Sequence, residues 1–192
     1  MNTAAMKKKI ILASQSPRRK ELLEKAGFEF TAVSLDADES YPDNLPAKEV
    51  AEFLARKKAD ARGAVQPDEI IVTSDTVVLA NGRILGKPEN KTEAYEMLAS
   101  MSGKSHEVVS GVCLKTNDAV TSFSASTRVF FKKLTDEEIN YYIDTYRPYD
   151  KAGAYGIQEW IGMIGIEKIE GSFYNVMGLP VDRVYTELKK LL

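Results

Sequence analysis

The sequence predicts an α/β fold with a mixed sheet. Short apolar runs alternate with amphipathic helical stretches in the first part of the chain, which is typical of parallel strands joined by helices. Farther along, Asn81-Gly82 lies between two short apolar runs, and residues 106–114 and 122–131 alternate between apolar and polar side chains. These features predict antiparallel pairing. Both kinds of pairing are therefore expected in the sheet.

The first elements are a strand, a helix and a second strand. Residues 9–13 form an almost fully apolar run, which predicts a buried strand. Ser16 and Pro17 follow as an N-cap and a first-turn proline, so a helix is expected to begin there and to stop at Gly27. Residues 28–33 predict the second strand.

A second helix is expected after an acidic stretch at residues 36–39. Pro46 is the predicted first residue of this helix, and Gly63 lies near its predicted end. One face is apolar and is expected to enter the core. Its residues are Val50, Phe53, Leu54 and Ala61.

The centre of the chain predicts a buried strand, a hairpin and a helix. Residues 69–73 are the strand, and residues 77–79 and 83–85 are the two sides of the Asn81-Gly82 hairpin. Asn90 is the expected N-cap of a helix that stops at Gly103.

In the C-terminal third, Thr135 and Glu138 form a capping box for a helix that ends before Pro148. A glycine-rich stretch at residues 152–158 follows, and a hairpin is expected around Glu170-Gly171. Residues 180–192 are predicted to form a closing amphipathic helix. The sequence shows no internal repeat or linker, so residues 1–192 are expected to form a single domain.

The composition excludes several classes of protein. Hydrophobic residues make up 44% and charged residues 28%, as in ordinary globular proteins. The formal net charge of −2 disfavours a nucleic-acid binder. Cys113 is the only cysteine, so an internal disulfide or a thiolate metal cage is excluded, and a reducing cytoplasm is expected. No apolar run approaches the ~20 residues of a membrane span, and the run at residues 10–13 is too short for a signal-peptide core.

An anion site is predicted where the first strand passes into the first helix. Free N–H groups at a helix start attract anions, and Ser14, Ser16, Arg18 and Arg19 add hydroxyl and guanidinium donors. The alternative is that Ser16 only caps the helix while the arginines are solvated.

A carboxylate is predicted beside this site. Asp75 follows the apolar run at residues 69–73, and ligands of open α/β sheets bind at the carboxyl ends of strands. The alternative is that Asp75 caps a turn before the hairpin.

Three more charged residues could join this site, although each would ordinarily be solvated: Lys58, Lys87 and Glu39. Taken with Asp75 and the two arginines, they supply two carboxylates and four cations, which suits metal-assisted phosphoryl chemistry. A hard ion such as Mg²⁺ or Mn²⁺ is expected, because only oxygen ligands are offered. His106 is the only histidine, which excludes histidine cages, and Cys113 is expected in the core.

Seven motifs, in order along nearly the whole chain, resemble the Maf family of nucleoside triphosphate pyrophosphatases. They are Leu12-Ala-Ser-Gln-Ser-Pro-Arg-Arg19, Ser74-Asp-Thr-Val-Val78, Gly86-Lys-Pro88, Ser110-Gly-Val112, Asp150-Lys-Ala-Gly-Ala-Tyr-Gly-Ile-Gln158, Gly171-Ser172 and Val176-Met-Gly-Leu-Pro180. The resemblance implies a two-lobed fold with a central cleft, similar to inosine triphosphate pyrophosphatases. It also implies a divalent cation and a homodimer.

The resemblance also assigns roles to individual residues. Asp75 would be the proton acceptor that activates water and would also touch the metal, with Glu39 helping to hold it. The residues that would bind the triphosphate are Ser14, Arg18, Arg19, Lys58 and Lys87.

Three positions favour a pyrimidine substrate. The family's subgroup that acts on dTTP and UTP carries arginine, threonine and glutamine where this chain has Arg18, Thr76 and Gln158, whereas the subgroup that acts on 7-methyl-GTP carries tryptophan, glutamine and glutamate. One glutamine amide can satisfy both the N3–H and the carbonyl of a uracil or thymine edge. The chain departs from the family in having Glu159-Trp160 where many relatives have glycine after the glutamine, and Ser74 where many have alanine.

The expected function is hydrolysis of dTTP and UTP, and of modified pyrimidine nucleotides, to the monophosphate and pyrophosphate. The expected step is attack at the α-phosphorus by water activated by Asp75 or by the cation. One alternative is the same chemistry on a modified purine such as 7-methyl-GTP. Another is a non-enzymatic nucleotide-binding regulator of cell division. Neither nucleic acid nor a membrane is an expected partner.

Overall fold

The computed structural model describes residues 8–192, and these build a seven-stranded mixed sheet. The strands are β1 (Lys9–Ala13), β2 (Phe30–Val33), β3 (Glu69–Ala80), β4 (Arg83–Leu85), β5 (Ser105–Lys115), β6 (Val120–Phe131) and β7 (Ile166–Glu170). The helices are α1 (Pro17–Lys25), α2 (Val50–Ala61), α3 (Lys91–Met101), α4 (Asp136–Tyr146), α5 (Trp160–Gly165), α6 (Phe173–Met177) and α7 (Val181–Leu191), with a short 3-10 helix at Ala152–Ala154. Residues 1–7 of the predicted single domain lie outside the described range.

The sheet combines the two kinds of pairing that the sequence predicts. Its strand order is β2-β1-β3-β5-β6-β7, and β4 also pairs with β3. Strands β2, β1 and β3 are parallel, whereas all pairs from β3 onwards are antiparallel. The predicted α/β class with a mixed sheet is confirmed.

Local capping sets the helix starts as predicted. The Ser16 hydroxyl accepts from the Arg19 N–H, and the Asn90 side chain accepts from the Glu93 N–H. Thr135 and Glu138 form the full capping box of α4. Each bond satisfies one of the N–H groups that a helix start leaves free.

Two boundaries differ from the prediction at the N-terminal side. Strand β2 begins at Phe30 rather than residue 28. Helix α2 begins at Val50 rather than Pro46, because residues 46–49 form a turn in which the Glu49 N–H donates to the Pro46 carbonyl at 2.8 Å. Ala61, predicted on the core face of α2, is exposed.

Strand β3 differs more from the prediction. The sequence predicts separate strands at residues 69–73 and 77–79, with Asp75 just beyond the carboxyl end of the first or in a turn before the hairpin, but these residues belong to one strand of 12 residues. The polar segment stays extended because β5 pairs with it continuously, from Ile71 to Leu79. Asp75 is therefore in the middle of a strand.

The prediction of a hairpin around Glu170-Gly171 is wrong. Strand β7 pairs with β6, but Gly171, at φ 124°, turns the chain into α6 instead of a returning strand. Ser172 is the N-cap of that helix, and its backbone N–H and carbonyl both bond to the Thr127 hydroxyl. Helices α5 and α6 and the 3-10 helix were not predicted.

The core consists of two large apolar clusters and smaller ones. One lies where α3, α4 and α5 meet β3, β5 and β6, with Leu98, Tyr142 and Ile161 among its fully buried members. The other joins α1 and α7 to β1 and β3, around Leu23 and Leu188. The closing helix is amphipathic as predicted. No helix among residues 8–192 combines the length and the apolar character needed to cross a membrane.

Candidate active site

An opening in the sheet lies along one edge of β3. On that edge β1 pairs with β3 only as far as Val72, and the pairing with β4 begins at Val78. Within residues 8–192 no strand pairs with this edge between those two points. The opposite edge is covered by β5, which holds Asp75 opposite Gly111 and Thr76 opposite Ser110. Because successive side chains of a strand point to opposite faces, Asp75 and Thr76 emerge on different faces beside the same opening.

On one face, Asp75 forms an ion pair with Lys58 of α2. The Lys58 ammonium donates to the Asp75 carboxylate at 2.6 Å and to the Glu39 carboxylate at 2.8 Å. The side chains of Lys58 and Asp75 are each only 14% exposed. Lys58 is thus not a solvated surface lysine, because it lies on the side of α2 that faces the sheet. One ammonium brings the two predicted metal ligands together.

Helix α2 reaches this position because Gly111 of β5 has no side chain at the point of closest approach. A Cβ on Gly111 would come within 2.2 Å of the backbone of Ala51 and Glu52, so the helix rests directly on the strand. Thr73, two residues before Asp75, donates its hydroxyl hydrogen to the Ala55 carbonyl at 2.6 Å. The close approach and this bond fix the register of α2, and hence Lys58, against β3.

On the other face, Arg19 of α1 is partly buried, and two of its donors are bound by the protein. Its Nε donates to the Gly178 carbonyl at 2.9 Å and its Nη2 to the Thr76 hydroxyl at 3.1 Å. Thr76 also shares a 2.9 Å hydrogen bond with Ser110, which donates to the Asn175 carbonyl. Burial lowers the pKa of the Arg19 guanidinium, and the Asp75 carboxylate opposes that shift.

The loop before α1 bears out the capping role of Ser16 but not the alternative interpretation in which the arginines are solvated. Ser16 caps the helix, and its own N–H donates to the buried Ser14 hydroxyl at 3.2 Å. The arginines, however, are not solvated surface residues. Arg18 donates to Asp150 at 2.8 Å, and its side chain is 21% exposed. Capping and a cationic site therefore coexist.

Lys87 and Gln158 lie in segments packed on the core cluster around Tyr142, and their polar groups are free. Lys87 follows β4, and Gln158 lies between the 3-10 helix and α5. Neither side chain forms a hydrogen bond or salt bridge with the described part of the chain. The Lys58 hydrogen bond holds the pKa of Glu39 below its ordinary value against the effect of burial, and Lys87 and Arg19 act in the same direction.

All nine predicted site residues line one cavity of about 860 Å³. They are Ser14, Arg18, Arg19, Glu39, Lys58, Asp75, Thr76, Lys87 and Gln158. No role was predicted for Asp150, Lys151, Ser110 or the Gly178 carbonyl, although each lies in a quoted motif. Membership of those motifs was the signal that could have found them.

The carboxylates of the cavity fit a magnesium or manganese ion that shares its coordination with a substrate. Residues 8–192 contain no cluster of three or more His, Cys, Asp and Glu side chains suited to a metal. Glu39 and Asp75 offer two carboxylates. Mg²⁺ is commonly held by one or two carboxylates together with substrate phosphates and water, so two ligands are sufficient.

His106 and Cys113 do not belong to the site. His106 is buried and shares a 2.6 Å hydrogen bond with the Tyr155 hydroxyl, and burial lowers the pKa of its imidazole to about 4. Cys113 is fully buried between α2 and β5, as predicted, and burial raises the pKa of its thiol to about 11.

Comparison with known proteins gives one consistent family. The family described as Maf-like protein matches residues 9–191. A protein of Bacteroides thetaiotaomicron named dTTP/UTP pyrophosphatase is 55% identical over 187 residues, which cover 96% of this chain and 97% of that protein. Proteins with the same name from Phocaeicola vulgatus and Flavobacterium johnsoniae are 56% and 50% identical, each over at least 96% of both chains.

Solved structures of more distant proteins share the fold. The Ham1 protein of Staphylococcus aureus superposes with a TM-score of 0.54 at 13% identity, over 96% of this chain and 100% of that chain. A HAM1 protein from Coxiella burnetii gives a TM-score of 0.50 at 17% identity. The α/β fold predicted for this chain is therefore also that of these two Ham1 proteins.

Proposed function

The chain belongs to the Maf family, and from that premise we propose that it hydrolyses dTTP and UTP to the nucleoside monophosphate and pyrophosphate. The relatives that carry this activity in their names match almost the full length of the chain. The observation that carries the proposal is the charge arrangement of the cavity. The four predicted cations line the same cavity as the carboxylate of Asp75, and one of them, Lys58, is paired with it.

The cations would bind the triphosphate. Arg18 and Arg19 offer planar forks of donors that match phosphate oxygens, and Lys87 is a cation without a protein partner among the described residues. Ser14 adds a hydroxyl at the start of α1, where the helix dipole favours an anion. Together these groups would offset the charge that develops on the leaving pyrophosphate.

Asp75 would be the general base. Its carboxylate would accept a proton from a water molecule as that water's oxygen forms a bond to the α-phosphorus. The bond between the α-phosphorus and its bridging oxygen to the β-phosphorus would break, and pyrophosphate would leave. The ion pair with Lys58 keeps Asp75 oriented toward the cavity before substrate binds.

Glu39 and Asp75 would hold a divalent cation, either Mg²⁺ or Mn²⁺. When bound, such an ion would withdraw negative charge from the triphosphate and orient it. Lys58 now bridges the two carboxylates and offsets part of their charge, so its ammonium would be free to move toward a phosphate oxygen once an ion takes its place between them.

Gln158 would select the base. Its amide is exposed to the cavity and has no partner in the described part of the chain, so both its donor and its acceptor are available. A pyrimidine edge satisfies both, whereas guanine presents adjacent donors and leaves one group unpaired. An unpaired polar group costs roughly 1–3 kcal/mol, which corresponds to about ten- to hundredfold discrimination.

The proposed setting of the enzyme is the cytoplasm, where it would act as a homodimer. We expect it to remove modified pyrimidine nucleotides as well as dTTP and UTP, a nucleotide house-cleaning role. The single cysteine, Cys113, suits a reducing compartment.

A pyrophosphate-release assay with dTTP, UTP and 7-methyl-GTP tests the activity, each nucleotide with Mg²⁺, with Mn²⁺ and with a chelator. The expected result is the highest kcat/KM for the two pyrimidines and no turnover with the chelator. A preference for 7-methyl-GTP would instead assign the modified-purine activity. Tight nucleotide binding with no pyrophosphate released would indicate a regulator that binds nucleotides without hydrolysing them.

A further inference from the structure

A series of ion pairs joins the turn that carries Gln158 to helix α1, which carries Arg18. It begins at Glu159, immediately after Gln158. Glu159 lies 3.1 Å from the Lys151 ammonium, Lys151 lies 2.7 Å from one oxygen of Asp150, and the other oxygen of Asp150 accepts from Arg18 at 2.8 Å. The series alternates in sign from end to end, so each charge depends on its neighbour.

The end of this series formed by Lys151 and Glu159 is shielded from water, whereas the Asp150 side chain is 56% exposed. The Lys151 side chain is 9% exposed and that of Glu159 is 18% exposed. Burial acts to raise the pKa of Asp150, but the hydrogen bonds from Lys151 and Arg18 together outweigh it and lower the pKa. Ion pairs that are largely removed from solvent are weakly screened by salt. The loss of one partner leaves a buried charge uncompensated, which is costly.

Glu159 also fixes the turn that carries Gln158. Its second carboxylate oxygen accepts a hydrogen bond from the Tyr142 hydroxyl, and that hydroxyl accepts from the Gly156 N–H at 3.0 Å. The Glu159 N–H donates to the Gly156 carbonyl at 3.0 Å and closes the turn. Burial and the bond to Glu159 raise the pKa of Tyr142, which keeps its hydroxyl a donor.

Gly156 brings the two side chains together. A Cβ at this position would lie 3.0 Å from the Glu159 carboxyl carbon and 3.1 Å from the Gln158 amide nitrogen. The carboxylate and the amide therefore sit side by side over the glycine. Glu159 does not line the cavity, whereas Gln158 does. The next residue, Trp160, packs edge-on against Tyr141 at 4.8 Å and also lies outside the cavity lining.

We propose that Glu159 is a positioning residue that sets substrate selectivity. Through Lys151 and Asp150 it holds Arg18, and through the Tyr142 hydroxyl and the Gly156 N–H it holds the turn of Gln158. The guanidinium that would bind phosphate and the amide that would read the base are thereby kept in one geometry. This inference deepens the proposed function and rests on it, because it assigns Gln158 and Arg18 to the same nucleotide.

Glu159→Gln keeps the size of the side chain and removes its charge. Lys151 is then left with Asp150 alone, and the Gln158 turn loses its charged anchor. We expect KM for dTTP to rise about tenfold with kcat changed less than about threefold, since the loss falls on binding geometry rather than on Asp75. The ratio of kcat/KM for dTTP over 7-methyl-GTP should fall about tenfold as the amide becomes free to reorient.

Lys151→Met removes the ion-pair partner of Glu159. It should lower the ratio of kcat/KM for dTTP over 7-methyl-GTP, as Glu159→Gln does. The double variant leaves neither Glu159 nor Lys151 charged, and its change should be smaller than the product of the two single changes. It also supplies a folded comparison if a single variant with an unpaired buried charge fails to fold. Lys91→Met is the matched control, because it removes an exposed ion pair with Asp144 between α3 and α4.

A lower melting temperature with an unchanged KM and an unchanged selectivity ratio in all three variants would overturn the inference and leave Glu159 a structural residue. If the unmodified protein releases no pyrophosphate from any nucleotide, the proposed function fails. In that case, calorimetric titration with dTTP and with 7-methyl-GTP measures the selectivity of each variant as a ratio of binding affinities. If the protein binds neither nucleotide, both the proposed function and the proposed role of Glu159 are overturned.

Discussion

The Asp75 carboxylate receives one hydrogen bond from the described residues, and its donor is the Lys58 ammonium. A carboxylate held by a lysine is oriented but keeps the remaining lone pairs of its oxygens free to accept a proton or to bind a cation. Thr76, the next residue, is by contrast saturated by Arg19, Ser110 and the Gly178 carbonyl. Of these two neighbours, only Asp75 has the capacity to take part in chemistry.

Asp75→Asn should lower kcat by at least about a hundredfold while the fold is kept, because an amide of the same shape cannot accept the proton of the attacking water. Steady-state pyrophosphate release and circular dichroism measure the two effects. Asp60→Asn is the matched control, since Asp60 is a 73% exposed carboxylate on α2 that pairs with Lys115. Near-normal turnover of Asp75→Asn would remove Asp75 from the role of base.

The caps of α1, α3 and α4 were predictable because each is decided by residues three apart in the sequence. The continuity of β3 was not, because its polar segment is held extended by β5, more than thirty residues away. The same limit explains why Asp150 and Gly178 had no assigned role. Their motifs mark these residues, but their contacts with Arg18 and Arg19 join distant parts of the chain, and no local pattern gives those partners.

At the scale of elements, the packing of α2 on β5 determines where Lys58 lies. Lys58 is seven residues after Ala51, so both lie on the same side of the helix. Ala51 rests on Gly111, and Lys58 reaches Asp75, which pairs with Gly111 in the neighbouring strand. One glycine therefore controls both the distance between helix and sheet and the position of the ion pair.

Gly111→Ala should displace α2 and weaken the site. The added methyl would lie 2.2 Å from helix backbone that cannot rotate away, so the cost should exceed the usual ~1–3 kcal/mol of overpacking. For a chain of this size the melting temperature should fall by about 5 °C or more, and kcat/KM should fall with it because Lys58 moves with the helix.

Gly86→Ala is the stability control for this substitution, because its added methyl meets nothing within 4 Å. Thermal unfolding followed by circular dichroism, with pyrophosphate release on the same samples, checks both effects. A Gly111→Ala protein with the original melting temperature and kinetics would show that the helix can move away without loss. In that case the close approach would not be what positions Lys58.

At the scale of the whole molecule, the cavity lies where separate cores meet. Arg19 comes from the helix packed on the Leu23 and Leu188 cluster, whereas Lys87, Gln158 and Tyr155 come from segments packed on the cluster around Tyr142. The opening beside Asp75 lets one ligand contact both faces of the sheet. A nucleotide that occupies the cavity would therefore tie the two cores together.

Binding of dTTP should accordingly stabilise the whole fold rather than one part of it. In the Asp75→Asn protein, where turnover is prevented, dTTP at about 100 times its Kd should add about 2.7 kcal/mol of stability. This corresponds to a rise of roughly 5–10 °C in melting temperature for a chain of this length. Scanning calorimetry should show a single transition that moves upward as a unit. Thymidine, which lacks the phosphates, should give little shift, because the cations supply most of the contacts. If dTTP raised the temperature of only part of a split transition, the ligand would be bound by one core alone, and the cleft would not be a shared site.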